Sequence, residues 1–328
     1  MFYQVYVPDK HRDFLRFLWW PGGDTTKPLE AYRMKVHIFG AVSSPSIANF
    51  ALKQTAEDNT YKYDKEVTET VQRNFYVDDC LKSVATVNQA VKLIRDLKDV
   101  CYQGGFSLTK SVSNSREVLL SIPESQRASN LKELDLDREQ LPIERALGIQ
   151  WNTESDTFTF KVANKNKPLT RRGILSMVSS IYDPLGFLAP FILKAKQILQ
   201  ELCKLECGWD EIIPEKLAKR WQIWITELEQ LKRFQVDRCT KPNNFGLVRS
   251  AELHHFCDAS EAGYGTVSYL RFTDAGEIHV TFILGKSRVT PLKQITIPRL
   301  ELAAATLAVK ITLASAGSGV SDASLIGC

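Results

Sequence analysis

The chain predicts an α+β fold, and three observations predict it. Short runs with strand character stand near the amino end. Two apolar stripes at helical spacing fill the middle: Val87, Ala90, Val91, Ile94, Leu97 and Cys101, then Leu217, Trp221, Trp224, Leu228 and Leu231. Strand-like runs then return together at 252–257, 264–271 and 278–284. Apolar residues stepping by three and four mark one helix face, and alternation marks a half-buried strand.

The elements follow in order. Residues 1–20 hold two strand-like runs around the polar turn Pro8-Asp9-Lys10-His11, and 21–30, with Pro21, Gly22, Gly23 and Pro28, read as a loop. A strand is expected over 32–39. Ser44-Pro45 opens a helix, with Ser at the cap and Pro in the first turn. Residues 56–70 are polar and charged, so exposure is expected. The helix after Val87 stops at Gly104-Gly105. Phe106 and Leu108 alternate on an expected strand that delivers Lys110, and 118–122 is expected as a further strand. Residues 123–142 lack periodicity and read as a linker. A hairpin over 144–161 turns at Thr153-Glu154-Ser155-Asp156. From 170 to 231 the pattern is helical, and its tryptophan stripe reads as a packed face with no other role. Thr273-Asp274-Ala275-Gly276 makes a hairpin turn, and Pro298 opens a helix to about Ala314.

The 328 residues suggest two or three domains. Apolar content of 44% and charged content of 24% are those of an ordinary globular protein. No run approaches the roughly 18 apolar residues of a membrane span. The amino terminus lacks a basic region followed by an apolar stretch, so secretion is not expected. Net charge is +4, mildly basic and compatible with nucleic acid. Lys161, Lys165, Lys167, Arg171 and Arg172 concentrate that charge; the run is either a solvated face or a track for a nucleic-acid backbone. Seven cysteines, odd in number and irregular in spacing, fit reduced thiols in the cytoplasm. Cys203 and Cys207 lack the second pair of ligands that a closed zinc site needs. In a strand, His255 and Cys257 share a face while His254 takes the other, so these three are no metal cluster.

The chemistry centres on Tyr76-Val77-Asp78-Asp79, within Asn74-Phe75-Tyr76-Val77-Asp78-Asp79-Cys80. Adjacent carboxylates on a strand–turn unit suit divalent cations in a two-metal phosphoryl-transfer site. A bare Asp-Asp pair is otherwise a solvated turn. This box resembles the active-site hairpin of reverse transcriptases. Phe39-Gly40-Ala41-Val42-Ser43-Ser44-Pro45-Ser46, Gly105-Phe106-Ser107-Leu108-Thr109-Lys110 and Leu147-Gly148-Ile149-Gln150-Trp151 resemble further palm segments. Met1-Phe2-Tyr3-Gln4-Val5, Leu15-Arg16-Phe17-Leu18-Trp19 and Tyr182-Asp183-Pro184-Leu185-Gly186-Phe187 resemble the BEL/Pao group of LTR retrotransposons. So do Cys257-Asp258-Ala259-Ser260-Glu261-Ala262-Gly263-Tyr264-Gly265 and Ile297-Pro298-Arg299-Leu300-Glu301-Leu302.

The resemblance implies a partial reverse-transcriptase palm over 1–125, a ferredoxin-like antiparallel sheet with helices. It implies a linker and primer-grip-like hairpin over 126–165, a helical thumb or connection over 166–240, and a truncated ribonuclease H-like α/β domain over 248–328. Carried over residue by residue, Asp78 and Asp79 become catalytic metal ligands, and so do Asp258 and Glu301. Phe2, Phe39, Gly40, Tyr76 and Lys110 become nucleotide-binding residues, and Leu147, Gly148 and Ile149 the primer grip. The implied cofactor is Mg²⁺ or Mn²⁺. The implied partners are an RNA template, a DNA primer, the RNA–DNA hybrid, deoxynucleoside triphosphates and the rest of a polyprotein. The implied place is the cytoplasm or a virus-like particle.

Two departures from the pattern set further expectations. The palm's first Asp precedes the Met-Phe-x-Gln segment, and Met1 opens this chain. Asp322 has no strand leading into it. An inactive piece is therefore expected. The alternatives are a non-catalytic nucleic-acid-binding remnant and a piece that does not fold. The group's polyproteins also include an aspartic peptidase, but the chain has no Asp-Thr-Gly or Asp-Ser-Gly, so peptidase chemistry is not assigned.

Overall fold

The computed structural model describes residues 1–317 except 133, 135, 137–138, 147, 162–166, 243–244 and 275. Leu147, Lys165 and Asp322 thus lie outside the described residues. The chain divides into two compact units, residues 1–137 and 138–328.

The first unit opens with 3-10 turns at Phe2–Gln4 and Asp9–Leu15, where two strands were expected. Only Arg16–Trp19 (β1) is a strand there, and it pairs with Glu30–Arg33 (β2). The strand expected over 32–39 continues as a bridge between Tyr6 and Val36, with His37 N–H donating to the Val5 carbonyl at 3.0 Å. Helix α1 spans Ser44–Asp58, with Pro45 in its first turn, as its Ser-Pro start predicts. Helix α2, Lys65–Arg73, corrects the exposed reading of 56–70. Val67, Thr70 and Val71 are buried there because steps of three and four put them on one face.

The hairpin follows: Phe75–Tyr76 (β3) pairs antiparallel with Asp79–Cys80 (β4). Helix α3, Val87–Gln103, begins with a capping box in which the Gln89 N–H donates to the Thr86 hydroxyl and the Thr86 N–H donates to the Gln89 side chain. It buries Leu93, Leu97, Val100 and Cys101. Residues 106–110 form no ladder strand, although Phe106 is buried. The run 118–122, expected as a strand, lies mostly in helix α4, Arg116–Ser121. The cap overrides β propensity here, because the Ser115 hydroxyl accepts from the Val118 N–H and fixes the first turn. The one extended sheet expected of a palm is represented by two separate two-stranded ribbons.

The second unit begins with an antiparallel sheet of Ile143–Ala146 (β5), Ile149–Asn152 (β6) and Thr157–Thr159 (β7). The β6–β7 turn is the predicted one at 153–156. Helices α5 (Arg171–Ser179), α6 (Ala189–Lys204) and α7 (Glu215–Gln230) make the helical part. They share a core of Ile174, Met177, Ile198, Leu202, Leu217, Trp221, Trp224 and Leu228. Trp224 is 2% exposed, stacks on Trp221 and Phe191, and donates its indole N–H to the Phe191 carbonyl at 3.0 Å. Trp224→Ala removes a large buried side chain and leaves that carbonyl unpaired. It is expected to cost about 3–5 kcal/mol in urea unfolding, with Trp224→Phe costing clearly less.

The segment after α7 is not wholly helical. Gln235–Asp237 (β8) joins β7 and completes the order β5-β6-β7-β8. A local clamp explains this. Asp156, at the tip of the β6–β7 turn, accepts two hydrogen bonds from the Arg238 guanidinium at 2.7 and 2.9 Å and one from the Trp151 indole at 2.9 Å. The pair is about three-quarters buried, where a bidentate charge-assisted contact is strong.

The second sheet is an antiparallel meander of Ser250–Ala259 (β9), Gly263–Asp274 (β10) and Glu277–Val289 (β11), in the order β11-β10-β9. Helix α8, Ile297–Gly317, packs on β9 and β10.

Candidate phosphoryl-transfer sites

In the first unit, Val77 and Asp78 are the two turn residues between Tyr76 and its partner Asp79. Val77 has φ 56°, an unusual conformation for a β-branched residue. Outside the turn, the Leu81 N–H donates to the Asn74 carbonyl at 3.1 Å and the Asn74 side-chain amide to the Leu81 carbonyl at 3.0 Å. The turn is therefore closed from behind, and Asp78 and Asp79 project from a short base. Both are exposed at the surface. Partial desolvation, and then the neighbouring Asp78 carboxylate, push the Asp79 pKa above its usual value.

The elements that carry the other expected residues converge on one core. Phe75 and Cys80 pack against buried Val67, Val71, Leu97 and Phe106, and so do Met1, Val5 and Leu108. Phe2 is buried and meets the Phe39 ring edge-on at 4.9 Å, while Tyr3 meets Phe39 at 5.4 Å. Phe39 and Tyr76 are exposed, at 65% and 68%. Gly40 has φ 90°, which suits glycine. Lys110 is exposed, with φ 61°.

In the second unit, Gly148 has φ 87° in the β5–β6 turn, and a Cβ there would stand 2.7 Å from the Tyr182 ring. Ile149 pairs with Ala146. Gly148 and Tyr182 thus have a packing reason to occur together, beside any grip on a primer. Asp258 lies one residue before the end of β9, exposed. Glu301 lies near the start of α8, also exposed. Asp258 stands at one end of this sheet, opposite Gly265. There β11 ends at Val289 against Gly263, and the Thr290 hydroxyl donates to the Ser260 carbonyl at 3.1 Å. Farther along the helix, Thr312 meets His255 Nε2 at 2.9 Å, and His255 Nδ1 meets the buried Ser268 hydroxyl at 2.8 Å. Asp258 also lines a groove of about 550 Å³ with Phe187, Phe256, Tyr269 and Phe282. Among the described residues, no three His, Cys, Asp or Glu side chains form a group that could hold a metal ion.

Sequence reasoning left Asp183 without a role. Its carboxylate accepts from the N–H groups of Gly186, Phe187 and Leu188 at 2.9, 3.0 and 2.8 Å. Burial nevertheless leaves its pKa raised, against the lowering effect of those bonds. The Asp-Pro dipeptide ahead of a glycine was the available turn signal. The basic run is also partly engaged: Arg171 stacks on Trp209 at 4.1 Å, and Arg172 makes bonds of 2.7 and 3.0 Å to Asp210.

No curated protein matches the chain. No helix among the described residues is long and apolar enough to cross a membrane. Residues 170–317 match a family model described as the Pao retrotransposon-like RNaseH-like domain. The match runs from the cap of α5 through α8, so it takes in Asp183, Asp258 and Glu301 but not the Asp78–Asp79 hairpin. It supports a piece of a Pao retrotransposon polyprotein with a ribonuclease H-like part in a mixed helix-and-sheet fold.

Proposed function

We propose that the chain is a BEL/Pao retrotransposon polymerase piece with two phosphoryl-transfer sites. Asp78 and Asp79 would serve RNA-directed DNA synthesis, and Asp258 and Glu301 would serve hydrolysis of the RNA strand of a hybrid. The carrying observation is the retrotransposon family match over 170–317, which contains Asp258 and Glu301. The hairpin adds support from its donor set. Two adjacent carboxylates, one held above its ordinary pKa by partial desolvation and then by its neighbour, are hard oxygen donors that suit Mg²⁺ or Mn²⁺. When bound, such ions activate the attacking hydroxyl and offset charge on the phosphate.

The protein's own residues supply placement. Phe2, packed under Phe39, would wall the sugar of a deoxynucleoside triphosphate, and Gly40 leaves the pocket floor open. Lys110, exposed, would meet the pyrophosphate. Gly148 and Ile149, in the second unit, would contact a primer strand. The partners on this reading are RNA template, DNA primer and their hybrid, with the rest of the polyprotein, in the cytoplasm or a virus-like particle.

Primer extension on an RNA template with Mg²⁺ tests the polymerase site, and cleavage of a labelled hybrid tests the other. Weak turnover at most is expected, because among the described residues no third ligand joins either pair of carboxylates; any extension should be lost in Asp78→Asn, and any cleavage in Asp258→Asn. A folded chain that binds hybrid in a salt-dependent way, with no metal-dependent turnover, would overturn the catalytic reading in favour of a non-catalytic binding piece.

A further inference from the structure

Both sheets of the second unit end on one slot of about 680 Å³. Residues 236–242, the chain from β8 onward, line it together with residues 279–283 of β11. β8 and β11 each stand at the end of their sheet. The β11 edge is in use at Gly285, whose N–H donates to the Leu185 carbonyl at 2.8 Å. From 279 to 283, by contrast, no backbone hydrogen bond leaves the strand on that side among the described residues. The ladder to β10 slips at the same place, since Ser268 pairs with Leu284 and Tyr269 with Phe282, so Ile283 ends the regular stretch. An unpaired strand edge is a template for an added strand, and here the template lines a recess. Five strand residues span about 17 Å, which sets the length of segment it takes.

Side chains and charge narrow the occupant. Alternation along β11 puts Val280 and Phe282 on one face, and His279 and Thr281 on the other. Phe282 meets Phe187 at 4.6 Å, and Phe158, Leu185 and Val236 also line the slot. A strand laid beside β11 would therefore turn alternate side chains to an apolar face and the intervening ones to a polar face. The acidic lining residues Asp156 and Asp237 balance the basic Arg238 and Lys241, and Asp156 already binds Arg238. A neutral slot with open backbone groups is complementary to an uncharged extended segment and offers nothing to a polyanion. The β9 edge of a second copy does not match, because its alternate positions Glu252, His254 and Asp258 are polar or charged.

We propose that this slot captures an extended, uncharged segment of a partner protein as an added strand on β11, with apolar side chains at alternate positions. Main-chain bonds to residues 279–283 supply affinity, and the apolar wall around Phe187 and Phe282 supplies the preference for alternation. The proposal is independent of both catalytic readings.

The test is hydrogen-exchange mass spectrometry of the full chain titrated with the peptide acetyl-Gln-Val-Thr-Val-Gln-amide. Protection of 279–283 is expected to rise with peptide concentration and saturate. Methylating the peptide's backbone nitrogens removes its donors and keeps its side chains, and is expected to weaken binding about tenfold or more. Val280 is 53% exposed, so Val280→Ser spares the core; it is expected to weaken binding about threefold. Equal binding by the methylated peptide would make the slot a plain apolar cavity and overturn the proposal. Protection on β9 in place of 279–283, or none up to about 1 mM peptide, overturns it as well. So does a parent dimer in sedimentation that Val280→Ser dissociates, because that assigns the edge to a second copy. No metal or nucleic acid enters the test, so its result is separate from the fate of either catalytic reading.

Discussion

Gly186→Ala is expected to destabilise the second unit by more than about 3 kcal/mol. Two independent reasons act at this position. Gly186 has φ 79°, where an L side chain is strained. An added Cβ would also overlap the carbonyl of Gly285, which is backbone and has no rotamer to escape into. That contact is held from the other side, because the Gly285 N–H donates to the Leu185 carbonyl at 2.8 Å. The loop before α6 is thus stitched directly to β11. Asp183→Ala probes the same joint through its other support. It strips three N–H groups of their acceptor and is expected to cost about 3 kcal/mol. Urea unfolding followed by tryptophan fluorescence reads both. A Gly186→Ala chain as stable as its parent would mean that the loop is not locked to the sheet.

Asp79→Asn is expected to abolish whatever metal-dependent primer extension the proposed polymerase site supports, while the fold holds or gains stability. The sign follows from the pKa. Partial desolvation and then the Asp78 charge raise the Asp79 pKa in the folded chain. In the window between the unfolded and the raised folded value, the native state holds more protons than the unfolded one. Stability therefore falls as pH rises through that window, and the deficit persists at neutral pH. Removing the charge relieves it at neutral pH and changes nothing below the unfolded value, where both states are protonated. Mg²⁺ should raise the melting temperature of the parent and not of Asp79→Asn. Because protons compete for the same oxygens, the Mg²⁺ effect should also fade on acidification, beginning above the ordinary Asp range. A lower melting temperature for Asp79→Asn at pH 7 would mean that the carboxylate is a structural partner.

The elements legible in the sequence were those whose signal is local. The stripe from Val87 to Cys101, the Leu217–Leu228 face, and the three strands before α8 all came out where spacing put them. So did the hairpin that sets Asp78 beside Asp79. The misread segments depend on partners distant in sequence or on a cap. Residues 118–122 carry β-branched and apolar residues, but the Ser115 cap makes them helical. Strand β8 exists because Arg238 reaches Asp156 across 82 positions, which no window sees. The valines of α2 were hidden among charged neighbours, and only their spacing on a helix brings them together. At the hairpin, the adjacency of Asp78 and Asp79 in a tight turn was readable. The raised Asp79 pKa was not, since it depends on how closely the hairpin packs.

The β9 strand sets a practical limit on handling this protein. Among the described strands it pairs on one side only, with β10. Its ten residues contain no proline. Along the other side, backbone donors and acceptors lie open as a template for a further strand. A net charge of +4 gives only modest repulsion to oppose such pairing. Aggregation in concentrated solution should begin there as intermolecular β-pairing, and a charged substitution at an outward position of β9 should delay its onset.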